Sequence, residues 1–344
     1  MIEGKTGLRA VVHKTGLVVG LGVIVTAGVF TYLFSQITWR DVGQLLGRID
    51  RQLLCFFVVL SLMQHVIRTL RYRLLLKSAG QVVSLGRLFV VVLVRSFCVD
   101  LLPARTGELV YIYLLRTRLG VELGAATASF ALAFLFDIMV LGPLVLLAAL
   151  SVLGSTLPVP VLLGGGGVLF LCSAAAVGLL PWGLRIGFRI LSGLGRLPRV
   201  RHFIASTHRQ VRRARRAGVY GGVFGLSVGV RLLKYGSMYV LLYALLKPVG
   251  YALGELPALR VFLGFVSAEM AASLPASGIA GFGAYEGVWS LVFNLLGFPA
   301  ALATTTGVSH HLITQVYGYS LGLLAMLAVL LGRSVGRAPR KAGG

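Results

Sequence analysis

The chain has 344 residues, 57% of them hydrophobic, and a mean hydropathy of +0.89, which excludes a soluble globular protein. No polar stretch is long enough for a separate soluble domain of about 100 residues. The formal net charge is +23, yet the Lys and Arg residues lie in short stretches between apolar runs, so they read as topology signals and contacts to an anionic membrane surface, and nucleic acid is not expected as a partner.

The expected fold class is an all-α polytopic membrane protein. Apolar segments run over 16–36, 53–67, 85–102, 123–153, 159–182, 218–246, 258–274, 284–297 and 309–332. A helix needs about 20 apolar residues to cross hydrocarbon, and counting the shorter runs as partial crossings gives about eight membrane segments. The predicted organisation is an N-terminal tail over 1–15, a transmembrane domain over 16–332 with a basic loop at 185–216, and a basic tail over 333–344. The first run follows Lys5, Arg9 and Lys14. It is long for a signal peptide and no small-x-small site follows it, so a retained span is predicted. Cys55, Cys98 and Cys172 fall far apart in apolar runs, which predicts packed, unreactive thiols and no metal or disulfide spacing.

Two segments are broken at matching places in the two halves. The run 85–102 stops at Pro103-Ala104-Arg105-Thr106-Gly107-Glu108. The run 258–274 stops at Pro275-Ala276-Ser277-Gly278, followed by Gly281-Phe282-Gly283-Ala284-Tyr285-Glu286. The chain owns only ten acids, and each one near a bilayer centre costs about 2.5–3.5 kcal/mol, so such residues are usually functional. Paired helix breaks in two halves point to a transporter's binding site. Broken helices also free backbone N–H groups that favour anions, with Arg105 as a fork-shaped phosphate partner.

The basic residues predict orientation. Arg68, Arg71, Arg73, Lys77 and Arg87 mark one loop, ten arginines lie within 185–216, and Arg333, Arg337, Arg340 and Lys341 mark the C-terminus. The positive-inside rule puts all three stretches, and both termini, in the cytoplasm of a bacterial-type inner membrane. Counted as full crossings, the runs 85–102, 123–153 and 159–182 give an odd number of passes between Arg87 and Arg185, which conflicts with that placement. Two re-entrant hairpins resolve the parity, one around 85–118 from the cytoplasm and one around 258–297 from the outer side, in an inverted-repeat-like arrangement. The simpler alternative makes the stretches after the breaks ordinary tilted helices. Within the basic loop, Val200, Phe203, Ile204 and Val211 recur at helical spacing among arginines. That suits a helix lying on an anionic membrane surface, or a plain topology-setting loop. Gly164 to Gly167 has no Lys-Ser or Lys-Thr after it, so it reads as close helix packing or a loose helix start rather than a phosphate loop.

The apolar runs carry few ionisable groups: Arg95, Asp100, Asp137, Arg231 and Lys234 on one helix face, Glu269, and His310-His311 opening the last span. Buried charges pair with one another or face water, so a groove lined by both signs is the economical arrangement, with plain ion-pair glue between helices as the alternative. No HExxH, GxSxG or Cys–His constellation is present, so no catalytic residues, metal or cofactor are expected.

These residues resemble the membrane domain of lysylphosphatidylglycerol synthases and its free-standing flippase-like relatives. The family's two arginines after the second span match Arg68 and Arg71, with Tyr72 where Trp is common. Its Pro-x-Arg-x-Gly-Glu motif is Pro103 to Glu108, its span Asp is Asp137, and its second motif is Pro275 with Gly281 to Glu286. The resemblance covers about 16–332. The chain departs from the pattern at Ala133 and Phe134, where Glu and Arg are common, and at Tyr285, where Arg often stands. An Arg common in the last span is missing, with His310 and His311 nearby. These departures predict a headgroup other than lysylphosphatidylglycerol. Bifunctional members add a soluble aminoacyl-transfer domain, and with the sequence ending at Gly344 no lipid lysylation by this polypeptide is expected.

The expected function is a non-enzymatic membrane lipid translocase that moves a polar-headgroup or anionic lipid between leaflets, passively or coupled to an ion. The candidate substrate-binding residues are Arg68, Arg71, Asp100, Arg105, Gly107, Glu108, Asp137, Arg231, Glu269, Pro275, Gly281, Gly283, Glu286 and His311. Phospholipid, polyprenyl glycolipid and terpenoid lipid all remain open as cargo. A lipid-binding scaffold for a lipid-biosynthetic enzyme, docked through the basic loop, is the second expectation, and an intramembrane enzyme using Glu286 or His311 the third.

Overall fold

A computed structural model describes residues 38–331, apart from 103–105, 275, 276, 278 and most of 154–197; among 1–37 it describes only 28, 31 and 35. Every regular element among the described residues is helical. The helices are α1 Trp39–Gly47, α2 Arg51–Ser78, α3 Leu85–Leu101, α4 Gly107–Leu119, α5 Leu123–Leu153, α6 Pro198–Arg216, α7 Tyr220–Leu246, α8 Ala258–Ala272, α9 Ala284–Leu295 and α10 Ala300–Leu331. Among the described residues, Arg51–Ser78, Leu123–Ala149 and Ala300–Leu331 are long and apolar enough to cross a membrane. At 1.5 Å per residue they reach about 40 Å or more, beyond the ~30 Å hydrocarbon core.

These helices turn a soluble protein's pattern around. Phe56, Val59, Met63 and Val66 of α2 recur at steps of three and four and are exposed, as are Val316, Leu323, Leu324, Leu327 and Leu330 on α10. The interior faces of the same helices bury Gln64, Thr69 and Arg71 on α2, and Thr304, Thr305, Thr306, Ser309, His310 and His311 on α10. An apolar outer stripe over a polar interior stripe is what a helix facing lipid on one side requires. The threonines of α10 close their own hydrogen bonds: the Thr305 and Thr306 hydroxyls donate to the Ala301 and Leu302 carbonyls at 2.7 and 2.8 Å.

Both broken segments fold back on themselves. Glycine at 281 adopts φ +76°, and a Cβ there would lie 2.8 Å from the Ala272 side chain. Further out, the Phe265 and Trp289 rings meet at 5.3 Å, and Gly264 backs onto Phe293 so closely that a Cβ would lie 2.5 Å from the ring. The pairs 272/281, 265/289 and 264/293 nest about one turn, so α8 and α9 form an antiparallel pair. In the first break, Gly107 packs directly on the Cys98 backbone and Glu108 reaches back to Arg95. α3, α4, α8 and α9 have 17, 13, 15 and 12 residues, or about 18–26 Å each, short of a full crossing.

The chain divides into two compact units. Unit one comprises Met1–Phe57, Ser96–Gly107 and Met238–Ser320; unit two comprises Val58–Arg95, Glu108–Ser237 and Leu321–Gly344. In unit one, Ser290 and Thr304 hydroxyls meet at 2.6 Å, a Cβ at Gly307 would strike the Trp289 ring, and α9 and α10 run antiparallel about Gly297. In unit two, α6 packs on α5. Its buried face is Ser206, Thr207, Gln210, Val211 and Ala214, and Gln210 Nε2 donates to the Glu122 carboxylate at 3.0 Å while the Ser206 hydroxyl donates to its other oxygen.

Several elements differ from the sequence-based expectation. The loop expected from Arg68 to Arg87 is instead helix through Ser78, because Arg71 and Tyr72 are buried inside the protein rather than solvated. The last span begins at Ala300, so His310 and His311 lie ten residues inside it rather than opening it. α1 was not expected; a Thr38–Asp41 capping box starts it, and Val42 packs on Val308. The amphipathic helix of the basic loop is present, but its Val211 is covered by protein, while the Val200 and Phe203 side chains lie outside the described residues. Cys55 and Cys172 are exposed rather than packed, and a Cβ at Gly164 or Gly167 would meet nothing within 4 Å among the described residues.

Candidate functional site

Unit two gathers five charged side chains around Asp137, in the middle of α5. Arg71, seven residues before the end of α2, donates from Nη1 to Asp137 Oδ1 at 2.5 Å and from Nη2 to Oδ2 at 3.3 Å. This is the two-pronged match of guanidinium to carboxylate that arginine is shaped for. Arg71 Nη1 also donates to the Ser227 hydroxyl at 2.9 Å, and Arg231, one turn further along α7, places Nη2 3.4 Å from Asp137 Oδ2. Arg95 of α3 lies 2.6 Å from the Glu108 carboxylate. Arg68 sits within electrostatic range of Arg71, Arg95 and Asp137.

Tyr72 joins the two ion pairs. Its ring lies 5.5 Å from the Arg71 guanidinium and 5.8 Å from that of Arg95, within cation–π range, and 4.4 Å from the Tyr111 ring. Ser129 donates to the Ala126 carbonyl at 2.7 Å, so the Tyr111 hydroxyl, 3.1 Å away, donates to Ser129. Four guanidiniums, of Arg68, Arg71, Arg95 and Arg231, thus gather with two carboxylates, Glu108 and Asp137. Arg71 Nε and Arg95 Nε are buried donors without a hydrogen-bond partner among the described residues.

Unit one has a second polar interior, built on the second break. Ala280 stands at φ +59°, the left-handed region that L residues avoid, and Gly281 and Gly283 follow at +76° and +90°. The chain emerges into α9, where Glu286 at the third helical position accepts the Gly283 N–H at 2.8 Å, one of the donors a helix start leaves unmet. Its other oxygen lies 2.5 Å from His311 Nδ1. Glu286 is fully buried and His311 is 3% exposed. His311 Nε2 lies 2.7 Å from Gln315 Nε2, which also faces the Ala280 carbonyl at 3.4 Å. The Tyr285 ring stacks on His311 at 4.2 Å and Phe282 covers it at 4.6 Å. His310 turns away, with Nε2 3.1 Å from the Met238 carbonyl and Nδ1 3.4 Å from the Tyr285 hydroxyl.

Of the candidate residues read from the sequence, Arg68, Arg71, Glu108, Asp137 and Arg231 come together in unit two, and Gly281, Gly283, Glu286 and His311 in unit one. Asp100 is exposed on the last turn of α3, within electrostatic reach of Tyr319. Glu269 is half-buried on α8 and acts electrostatically on His310. Gly107 is buried against Cys98. Arg105 and Pro275 lie outside the described residues. The structure adds Arg95, Tyr72, Tyr111 and Ser227 to one cluster and Gln315, Tyr285 and His310 to the other. Arg95 carried its own signal, an arginine in an apolar run. Gln315 stands four residues after His311, the spacing that stacks two side chains on one helix face. Nothing in the sequence marks Ser227 as the partner of a residue 156 positions away.

No curated protein and no solved structure matches the chain. Residues 17–322 match the family described as lysylphosphatidylglycerol synthase TM region. That match takes in both breaks, the Asp137 cluster and the Glu286 relay, and the chain therefore belongs to the lysylphosphatidylglycerol synthase transmembrane-region family.

Proposed function

We propose that the protein is a membrane lipid translocase, and that the polar interior of unit two receives the headgroup of an anionic lipid. The observation that carries this reading is the gathering of the Arg68, Arg71, Arg95 and Arg231 side chains around Asp137 and Glu108, together with Arg71 and Arg95 Nε donors that meet no hydrogen-bond acceptor among the described residues. A headgroup phosphate offers such donors negative charge and several acceptor oxygens. A bare charge moved from water into hydrocarbon costs tens of kcal/mol. Guanidiniums already desolvated and held by α2, α3 and α7 replace the headgroup's water, while the acyl tails stay in lipid. No catalytic step is assigned. The short helices flanking each break fit re-entrant hairpins, and the basic stretches fit cytoplasmic termini in an inner membrane.

The test is transbilayer movement of fluorescent anionic lipid in proteoliposomes. Arg68 is half-buried beside the cluster, whereas Arg73 of the same helix is exposed. Arg68→Gln is expected to slow flipping about tenfold, the loss of one charge-assisted hydrogen bond, and to shed an anionic lipid class that co-purifies with wild type by mass spectrometry. Arg73→Gln is expected to do neither. Wild-type flipping in Arg68→Gln sinks the reading.

A scaffold reading is favoured by α6, whose inner face is taken by α5 while Arg209, Arg213, Arg215 and Arg216 are exposed. On that reading this face holds a lipid-biosynthetic enzyme with an acidic surface. Changing these four arginines to Gln would release that enzyme in pull-downs and leave flipping intact; retention of the partner argues against it.

A further inference from the structure

The relay in unit one is built on an imidazole, where the cluster of unit two is built on guanidiniums. A carbonyl oxygen only accepts, so the Gln315 amide faces the Ala280 carbonyl with its nitrogen, as the 3.4 Å contact has it. The same nitrogen lies 2.7 Å from His311 Nε2, so its second N–H points there and Nε2 accepts. The ring's single proton then sits on Nδ1 and is donated to Glu286 Oε1. In this arrangement His311 is neutral and Glu286 is ionised. Its second oxygen is held by the Gly283 N–H, at the positive end of α9.

The surroundings leave His311 Nε2 as the place where a proton can be added. From α9, Tyr285 stacks on the ring. From the break, Phe282 covers it. On α10 itself, His310 gives its Nε2–H to the Met238 carbonyl of α7 and takes the Tyr285 hydroxyl at Nδ1. From α8, Phe265 stacks on His310 and Glu269 acts on it electrostatically. Of the two histidines, His311 is the one hydrogen-bonded to a carboxylate.

We propose that Glu286, His311 and Gln315 form a proton-binding site, with the proton taken up at His311 Nε2 and the Gln315 amide turning over to receive it. One N–H bond forms, no other covalent bond changes, and the proton comes from water and returns to it. The imidazolium then pairs with the Glu286 carboxylate. The turned amide presents oxygen to His311 and withdraws its N–H from the Ala280 carbonyl. Ala280 holds a left-handed backbone in the middle of the break, so proton occupancy acts directly on the turn between α8 and α9. Use of this proton to drive lipid movement rests on the translocase reading; its binding does not.

The experiment is nitrogen-15 NMR of histidine-labelled full-length protein, with His311 identified by its close approach to a glutamate carboxylate. Lowering the pH from about 8 to about 5 is expected to convert its ring from the neutral to the imidazolium pattern. Gln315→Glu offers only acceptor oxygens in nearly the same shape, and the imidazolium pattern is expected to persist to higher pH. In Glu286→Gln it is expected to require more acid. A ring that stays neutral throughout in wild type, or titrates identically in Gln315→Glu, overturns the proposal; Gln315 is half-buried, so that comparison stands even where Glu286→Gln fails to accumulate. In proteoliposomes, a pH gradient is expected to change wild-type flipping about tenfold and to leave Gln315→Glu indifferent. Flipping that ignores the gradient while His311 titrates would overturn the coupling and leave the translocase reading; absence of flipping would overturn the translocase reading alone.

Discussion

Glu108 and Glu286 both stand in the first turn after a helix break, as the second residue of α4 and the third of α9, and they meet different kinds of partner. Glu108 faces Arg95 in a cluster of guanidiniums. Glu286 faces His311 in a relay that ends on a backbone carbonyl. A guanidinium stays charged at any pH the protein meets, whereas an imidazole changes charge near neutrality. One break therefore carries a fixed charge and the other a switchable one. Where relatives often carry Arg, this chain has Tyr285, which stacks on the imidazole instead of competing for the carboxylate.

The sharpest way to break this comparison is to remove the carboxylate from each cluster. Asp137→Ala leaves Arg71, 1% exposed, beside Arg231 with no shared counter-charge. A buried charge stripped of its partner costs about 3–5 kcal/mol, and the thermal midpoint of the detergent-solubilised protein is expected to fall accordingly. Arg71→Met/Asp137→Leu removes both partners and is expected to recover more than half of that loss. Glu286→Ala is the matched change in unit one. There the imidazole is left neutral and only the Gly283 N–H and His311 Nδ1–H lose an acceptor, which costs about 1–3 kcal/mol. Equal losses at the two sites would mean that both clusters are held by fixed charge.

That difference in charge was only half legible in the chain. The two breaks, Asp137 and the arginines stood out because proline, glycine and charge are rare inside apolar runs. Apolar runs also place α5 at its observed ends, Leu123–Leu153. They do not place α2, whose charged stretch reads as a loop: hydropathy cannot tell an arginine in water from one neutralised by an aspartate 66 positions away. For the same reason the start of α10 was missed, since its threonines satisfy their hydroxyls on their own helix and so count as polar in sequence while being buried in the fold. Glu108 and Glu286 read as one groove because their motifs match; their partners, set by packing between helices distant in sequence, are what distinguish them.

The geometry of the second break offers a smaller and independent test. Gly281→Ala must hold a side chain at φ +76° and bring its Cβ to within 2.8 Å of Ala272, a cost of about 1–2 kcal/mol from the backbone conformation alone. If the proton relay acts on this turn, the substitution also shifts the pH at which His311 changes its nitrogen-15 pattern. A lower thermal midpoint with an unchanged His311 titration would mean that the turn is scaffolding and that the relay ends at Gln315.

The smallest effect belongs to an ion pair that serves as the control for the others. Asp50 accepts from Lys247 at 2.5 Å, joining the start of α2 to the end of α7 within unit one. The Lys247 hydrogen bond, followed by the Leu53 N–H, holds the Asp50 carboxyl below its ordinary 3.8, and the same bond raises Lys247 above 10.5. A carboxylate whose folded value is depressed stabilises the fold above its ordinary value and loses that contribution as pH falls through the folded one; a raised lysine contributes below its ordinary value and loses it as pH rises through the folded one. The pair's contribution is therefore constant across the neutral range and fades only at the two extremes. Asp50→Asn keeps the side-chain oxygen that caps α2 at Gln52 and Leu53 but removes the charge. It is expected to lower the thermal midpoint slightly at neutral pH, less at high salt because the pair reaches solvent, and to flatten the loss of stability in strong acid. Between about pH 5 and pH 8 its melting curve should run parallel to that of wild type. A pH response in that window that survives Asp50→Asn and disappears in Gln315→Glu has the histidine relay as its source.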